Sequence, residues 1–167
     1  MNTVFTIGYE GSSISEFINT LKHSGVGVLL DVREIPLSRK KGFSKTALAT
    51  AAIKAGIEYR HEKLLGSPKP IRDKLRRDGD YKSYFKAFDT YLQTQTEFLN
   101  QLTKNIKGNV VLMCYERDPL TCHRLSVAKK LEKITGRKTK HLAVTLQGRG
   151  NAPKASYLHI GQSLPAA

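Results

Sequence analysis

The densest chemistry in the chain falls in one short segment, Cys114-Tyr115-Glu116 followed by Asp118-Pro119 and then Cys122-His123-Arg124. It offers two thiols, acids, an imidazole and a guanidinium close together in sequence. Cys114 can serve as a nucleophile if His123 takes its proton. It can equally be a small core residue, since it ends the apolar run 110–113. A phosphate-binding catalytic cysteine normally heads a loop of small residues closed by an arginine. The position six after Cys114 is Leu120, which argues against a loop of the tyrosine-phosphatase or rhodanese type.

Cys114, Cys122 and His123 can also supply three metal ligands, with His61 or His141 as a fourth. Zinc sites usually contain closer cysteine pairs, and the chain has no CxxC; His61 and His141 have ordinary structural explanations at strand ends. The spacing therefore predicts a metal-free protein with no cofactor, in which Cys122 packs at a helix start while His123 and Arg124 hydrogen-bond across the site.

Two acids follow apolar runs, Asp31 and Glu116. Burial raises a carboxyl pKa and a nearby arginine lowers it, so either acid can be tuned as a general base or nucleophile. The competing reading makes Asp31 with Arg33, or Glu116 with Arg124, a structural ion pair that orients a loop. A third cluster is the loop Arg39, Lys40, Lys41, Gly42, Phe43, Ser44, Lys45, which places cations around an aromatic just before a helix start. Phosphate can be held there by the cations and helix N–H groups while Phe43 stacks on a base, or Phe43 can tuck into the core. The basic segment 72–77 extends the same positive field.

These groups need a scaffold that brings them to one place. Apolar runs at 4–7, 26–30, 57–61, 110–113 and 141–146 read as strands, the third less clearly than the others. Between them lie helical patterns. Ser13 and Glu16 form a capping box ahead of Ile14, Phe17, Ile18 and Leu21; Ser44 can cap a helix stopped by Gly56; Thr121 can cap one that ends at Gly136. A short basic helix is expected within 65–80. Tyr84, Phe88, Tyr91, Gln95, Phe98, Leu102 and Ile106 predict one long amphipathic helix.

Strands alternating with helices predict an α/β fold, a largely parallel sheet of Rossmann-like or flavodoxin-like type with helices on both faces. Ligands in such sheets bind at the carboxyl ends of the strands. That rule gathers Tyr9 and Glu10, Asp31 and Arg33, His61 and Glu62, and Cys114 and Glu116 at one edge. Residues 1–146 are expected to form a single domain, with 147–167, rich in Gly, Pro and Ser, as a flexible C-terminal tail.

Bulk properties restrict the function further. The 167 residues carry 28 Lys and Arg against 14 Asp and Glu, a net charge of +14 that favours an anionic partner. No apolar stretch is long enough to span a membrane, and the first residues lack a secretory layout, so a cytoplasmic location and no membrane partner are expected. Two cysteines are too few for a disulfide scaffold and read as reduced thiols.

Thr6-Ile7-Gly8-Tyr9-Glu10-Gly11, Asp31-Val32-Arg33, Gly42-Phe43-Ser44-Lys45 and the run from Cys114 to Arg124 occur in an order that resembles the domain of unknown function 488 family. The resemblance covers roughly residues 3 to 145. It implies a compact α/β domain with these motifs as its signature, and it supplies no reaction.

Charge and site composition together predict a protein that acts on nucleic acid or a nucleotide. Arg33, Lys45 and Arg124 would hold phosphate, with Tyr9, Glu10, Arg39, Phe43, Ser44 and Cys122 beside them. Asp31 or Glu116 would do acid–base work in cleavage of a glycosidic or phosphoester bond. A non-catalytic nucleic-acid-binding module, or a small-molecule or thiol enzyme using Cys114, are the alternatives.

Overall fold

The computed structural model describes residues 3–145, and the tail expected over 147–167 lies outside them. Five strands, β1 (Val4–Gly8), β2 (Val28–Asp31), β3 (Glu58–His61), β4 (Val110–Cys114) and β5 (Thr139–Leu142), form one sheet in the order β3-β2-β4-β1-β5. All four pairings are parallel. The fold is α/β, as the alternation of patterns predicts.

Side chains that alternate along each strand feed two apolar layers. Phe5, Ile7, Leu29, Val111 and Met113 point to one face, where α1 (Ile14–His23) and α2 (Lys45–Lys54) cover them with Phe17, Leu21, Leu48 and Ala52. Val4, Val28, Leu30, Val110 and Leu112 point to the other. There α4 (Tyr81–Thr94), α5 (Thr96–Asn105) and α6 (Arg124–Thr135) supply Phe88, Leu92, Leu99, Leu102, Val127 and Leu131. The basic helix α3 (Lys69–Asp78) buries no residue and lies at the sheet's carboxyl end.

Helix ends follow local chemistry in part. Ser13 and Glu16 make the capping box in full, each side chain accepting from the other's backbone N–H. Ser44 occupies the start of α2, but its hydroxyl makes no capping bond there. Thr121 does not cap α6. It ends a tight turn, Pro119–Thr121, and its hydroxyl donates to the Asp118 carbonyl, so the helix begins only after His123.

The single long helix expected over 84–106 is two helices separated at Gln95. Hydroxyls on either side account for the break. Thr94 Oγ1 donates to the Tyr91 carbonyl at 2.6 Å and Thr96 Oγ1 to the Gln93 carbonyl at 2.7 Å, competing with the backbone amides for the same acceptors. The last strand also lies earlier than its apolar run suggests, because register with β1 pairs Thr6 with His141 and Ile7 with Leu142.

The strand order also decides where a ligand can enter. The chain leaves β2 toward β3 at one edge and leaves β4 toward β5 at the other, so the loops after these adjacent strands diverge. A crevice opens at such a point, at the carboxyl ends of the strands.

Candidate functional site

A cleft of about 850 Å³ opens at the carboxyl end of the sheet. The loop after β2 contributes Arg33, Glu34 and Arg39; β4 and the turn that follows contribute Cys114, Tyr115, Glu116, Cys122 and His123; α3 and the start of α4 contribute Arg72, Arg76, Tyr81 and Tyr84. Tyr9, after β1, forms part of the floor.

Beneath the cleft, Asp31 and Arg33 form a closed polar unit. Arg33 donates to Asp31 from Nε at 2.8 Å and from Nη2 at 2.5 Å, and its Nη1 donates to the Tyr9 hydroxyl at 3.1 Å and the Phe43 carbonyl at 2.8 Å. Tyr59 donates its hydroxyl to the same Asp31 carboxylate at 2.7 Å. Burial works against the Arg33 charge, but the hydrogen bonds and charge of Asp31 raise its pKa above the usual range. Asp31 is fully buried and does not line the cleft. Its expected part as a base gives way to positioning, because its carboxylate oxygens are occupied by Arg33 and Tyr59.

Phe43 is likewise inside. Its ring stacks on Tyr9 with centroids 4.3 Å apart and meets Phe17 edge-on, so no nucleobase can reach it. Ser44 and Lys45 stand outside the cleft lining, and the Lys45 amide is taken by the Pro36 carbonyl at 2.9 Å. The start of α2 therefore offers a ligand less than the sequence promises.

Arg124 is 1% exposed and grips backbone. It donates to the Glu116 carbonyl at 2.5 Å and the Arg117 carbonyl at 3.1 Å, folding the loop after β4 back over the start of α6. Arg124 is thus a brace for that loop instead of a phosphate ligand. Glu10 sits at the same loop outside the cleft, accepting from the Arg117 amide. Gly8 permits the arrangement: a Cβ there would stand 1.8 Å from the Glu116 carbonyl oxygen.

Braced in this way, the loop presents Glu116 to the cleft. Its side chain makes no hydrogen bond or ion pair among the described residues, and burial, with the negative charges of Cys122 and Glu10 nearby, pushes its carboxyl pKa up. Behind it lie the two thiols. His123 Nδ1 is 3.9 Å from Cys114 Sγ and 3.8 Å from Cys122 Sγ, while Nε2 is 2.7 Å from the Val32 carbonyl. A hydrogen bond with Cys122 and then burial raise the Cys114 thiol pKa well above its usual value. Burial opposes ionisation of Cys122, but the Cys114 hydrogen bond and the His123 charge hold its pKa well below. His123 is raised against its own burial by Cys122 and by the Val32 carbonyl.

A family model described as domain of unknown function DUF488 matches residues 13–131. The chain belongs to the DUF488 family. No curated protein and no solved structure gives a significant match. The DUF488 match runs from the first residues of the capping box into α6, taking in the loops after β2 and β4, whereas β1 and β5 lie outside it.

Sequence reasoning overlooked several residues of this DUF488 cleft. Tyr84 has the spacing of a core aromatic, and it is buried, yet it also lines the cleft. Glu34, beside the predicted Arg33, ion-pairs with Arg72 across the cleft wall. Tyr115 lies between two predicted residues and exposes its ring beside Tyr9, centroids 5.3 Å apart. Its place between Cys114 and Glu116 is the one sequence signal that marks it.

Proposed function

We propose that the chain binds a phosphate-bearing ligand, a nucleotide or a nucleic-acid strand, in the cleft at the carboxyl end of the sheet, with Glu116 as the acid–base residue for hydrolysis of a glycosidic or phosphoester bond. The observation that carries this reading is the pairing of a cationic rim, Arg39, Lys40 and Arg76, with an acid inside, Glu116, that no side chain engages among the described residues; Arg72, at the same rim, is held by Glu34. The +14 charge steers anions toward the molecule, and the rim gives them a place to stop. The exposed rings of Tyr115 and Tyr81 at the cleft wall supply stacking surface for a base.

Phosphate binding shifts from the sequence expectation. Arg33, Lys45 and Arg124 give way to the rim cations, since the fold spends Arg33 on Asp31 and Arg124 on carbonyls.

Titration of a short fluorescent single strand and of a nucleotide at two salt concentrations tests the binding. Binding should weaken steeply with salt, and Arg39→Ala with Arg76→Ala should lower the slope of log K against log salt by about 1 for each phosphate that is no longer neutralised. Salt-independent binding, or none at low salt, would remove this reading. Glu116→Gln separates catalysis from recognition: it should abolish turnover while leaving affinity within a few fold. Retained affinity with no turnover in the parent protein would make the cleft a recognition module.

A further inference from the structure

Two buried thiols and an imidazole that point at one another need an account, because the fold brings them together from both sides of a nine-residue span that the spacing rule discounts. Cys114 ends β4, and Cys122 and His123 precede α6. The tight turn Pro119–Thr121 and the grip of Arg124 on the Glu116 and Arg117 carbonyls double the loop back, so Cys114 Sγ, Cys122 Sγ and a nitrogen of His123 all lie within 4.8 Å of one another.

The histidine fixes which nitrogen faces the sulfurs. A carbonyl only accepts, so the 2.7 Å contact with Val32 O places a proton on Nε2 and leaves the Nδ1 lone pair of the neutral ring aimed at the thiols. A ligating histidine is characteristically oriented in this way, by donating its other ring N–H to a carbonyl or carboxylate. A histidine that activates one nucleophile would favour one sulfur. Here Nδ1 is nearly equidistant from both, at 3.9 and 3.8 Å.

Bond lengths give a quantitative comparison. With Zn–S near 2.3 Å and Zn–N near 2.0–2.1 Å at tetrahedral angles, sulfur and nitrogen stand about 3.6 Å apart and two sulfurs about 3.8 Å. The observed separations are within a few tenths of an ångström of the first value. All three residues are buried but line the cleft, which gives a fourth position a side on which to open.

We propose that Cys114 Sγ, Cys122 Sγ and His123 Nδ1 bind a zinc-class divalent ion whose fourth position opens into the cleft. His61 and His141, the fourth ligands that the sequence offers, are engaged elsewhere, at the Arg33 carbonyl and the Thr6 hydroxyl. Three protein ligands with an exchangeable position are the pattern of a reactive site, whereas structural zinc sites are closed by four. Water or a substrate atom completes the set. The ion also offsets the cost of holding thiolate charge in a dry place. The site stands apart from the nucleic-acid reading, since metal content is measured with no substrate present.

The full chain, expressed without a chelating tag in zinc-supplemented medium and purified under reducing conditions, should retain close to one equivalent of zinc. Replacement with Co²⁺ should give a thiolate-to-cobalt charge-transfer band and tetrahedral d–d absorption, and X-ray absorption should report two sulfur neighbours at about 2.3 Å with nitrogen or oxygen at about 2.0 Å. Cys122→Ser and His123→Gln should each lower zinc affinity by at least tenfold. Circular dichroism shows whether each variant is folded; where one is not, Cys114→Ser with the same cobalt titration takes its place. Less than about a tenth of an equivalent of zinc, together with no cobalt spectrum in reduced protein, would overturn the site. So would a Cys114–Cys122 disulfide in protein that takes up no metal after reduction.

Discussion

Asp31 and Arg33 show at residue scale what an inventory of reactive side chains leaves undecided. Both follow an apolar strand, and in sequence either can face a ligand; in the fold Asp31 stays inside and the guanidinium turns back onto it. If the pair is a positioning unit, Asp31→Asn strands a buried arginine charge and should cost roughly 3–5 kcal/mol in urea unfolding. A loss below about 1 kcal/mol, with activity abolished in a fully folded variant, would return Asp31 to the chemistry. Position along the chain marks the carboxyl ends of β1 to β4 to within a residue, though not that of β5, because an abrupt change from apolar to charged residues is a local signal. Which side chain then faces the cleft depends on partners outside the local pattern: Tyr59, 28 residues on, for Asp31, the distant Tyr9 for Phe43, and for Arg124 the Glu116 and Arg117 carbonyls across a turn. No spacing rule reports those.

At the scale of elements, legibility tracks how local the determining interaction is. The capping box of α1 is readable from Ser13 and Glu16 because both halves of it lie within one turn. The start of α2 misleads in its chemistry, since Ser44 has the right residue type but its hydroxyl makes no capping bond. The two serines therefore give opposite expectations. Ser13→Ala should cost about 1 kcal/mol in chemical denaturation, and Ser44→Ala less than about 0.5 kcal/mol. Equal losses would show that position alone, without the hydrogen bond, sets the value. The break at Gln95 is hidden for a related reason. Apolar periodicity continues through it, and only the threonine hydroxyls donating to the Tyr91 and Gln93 carbonyls reveal that the backbone ladder is interrupted.

Across the whole molecule, the parallel α/β architecture follows from the alternation of strand and helix patterns, while the strand order depends on long-range pairing that no local pattern encodes. Among the described residues, no helix is long and apolar enough to cross a membrane. The outer strand β5 is tied to β1 through His141, whose Nδ1 lies 2.7 Å from Thr6 Oγ1. Burial first, then the positive charge of Arg124, lowers the His141 pKa, with Lys129 acting in the same sense and Glu132 against it. The folded chain thus prefers neutral His141, and the unfolded chain takes up the proton first. The stability that this histidine contributes is present above about pH 6.5, the ordinary histidine value, and is lost as pH falls through it toward the folded value. His141→Gln should flatten that part of the stability profile relative to the parent. An unchanged profile in urea unfolding across this range would exclude the contribution.

The strand order also sets a timetable. β1 and β2 are not hydrogen-bonded to each other; both pair with β4, which is inserted between them. On the ribosome, a nascent chain that has already delivered Tyr9, Arg33 and Phe43 has no central strand to close on, and must keep two apolar strand edges apart from other chains until residues 110–114 emerge. The cleft is therefore among the last features to form during synthesis, and a chain cut short before β4 carries most of its lining residues with no means of assembling them.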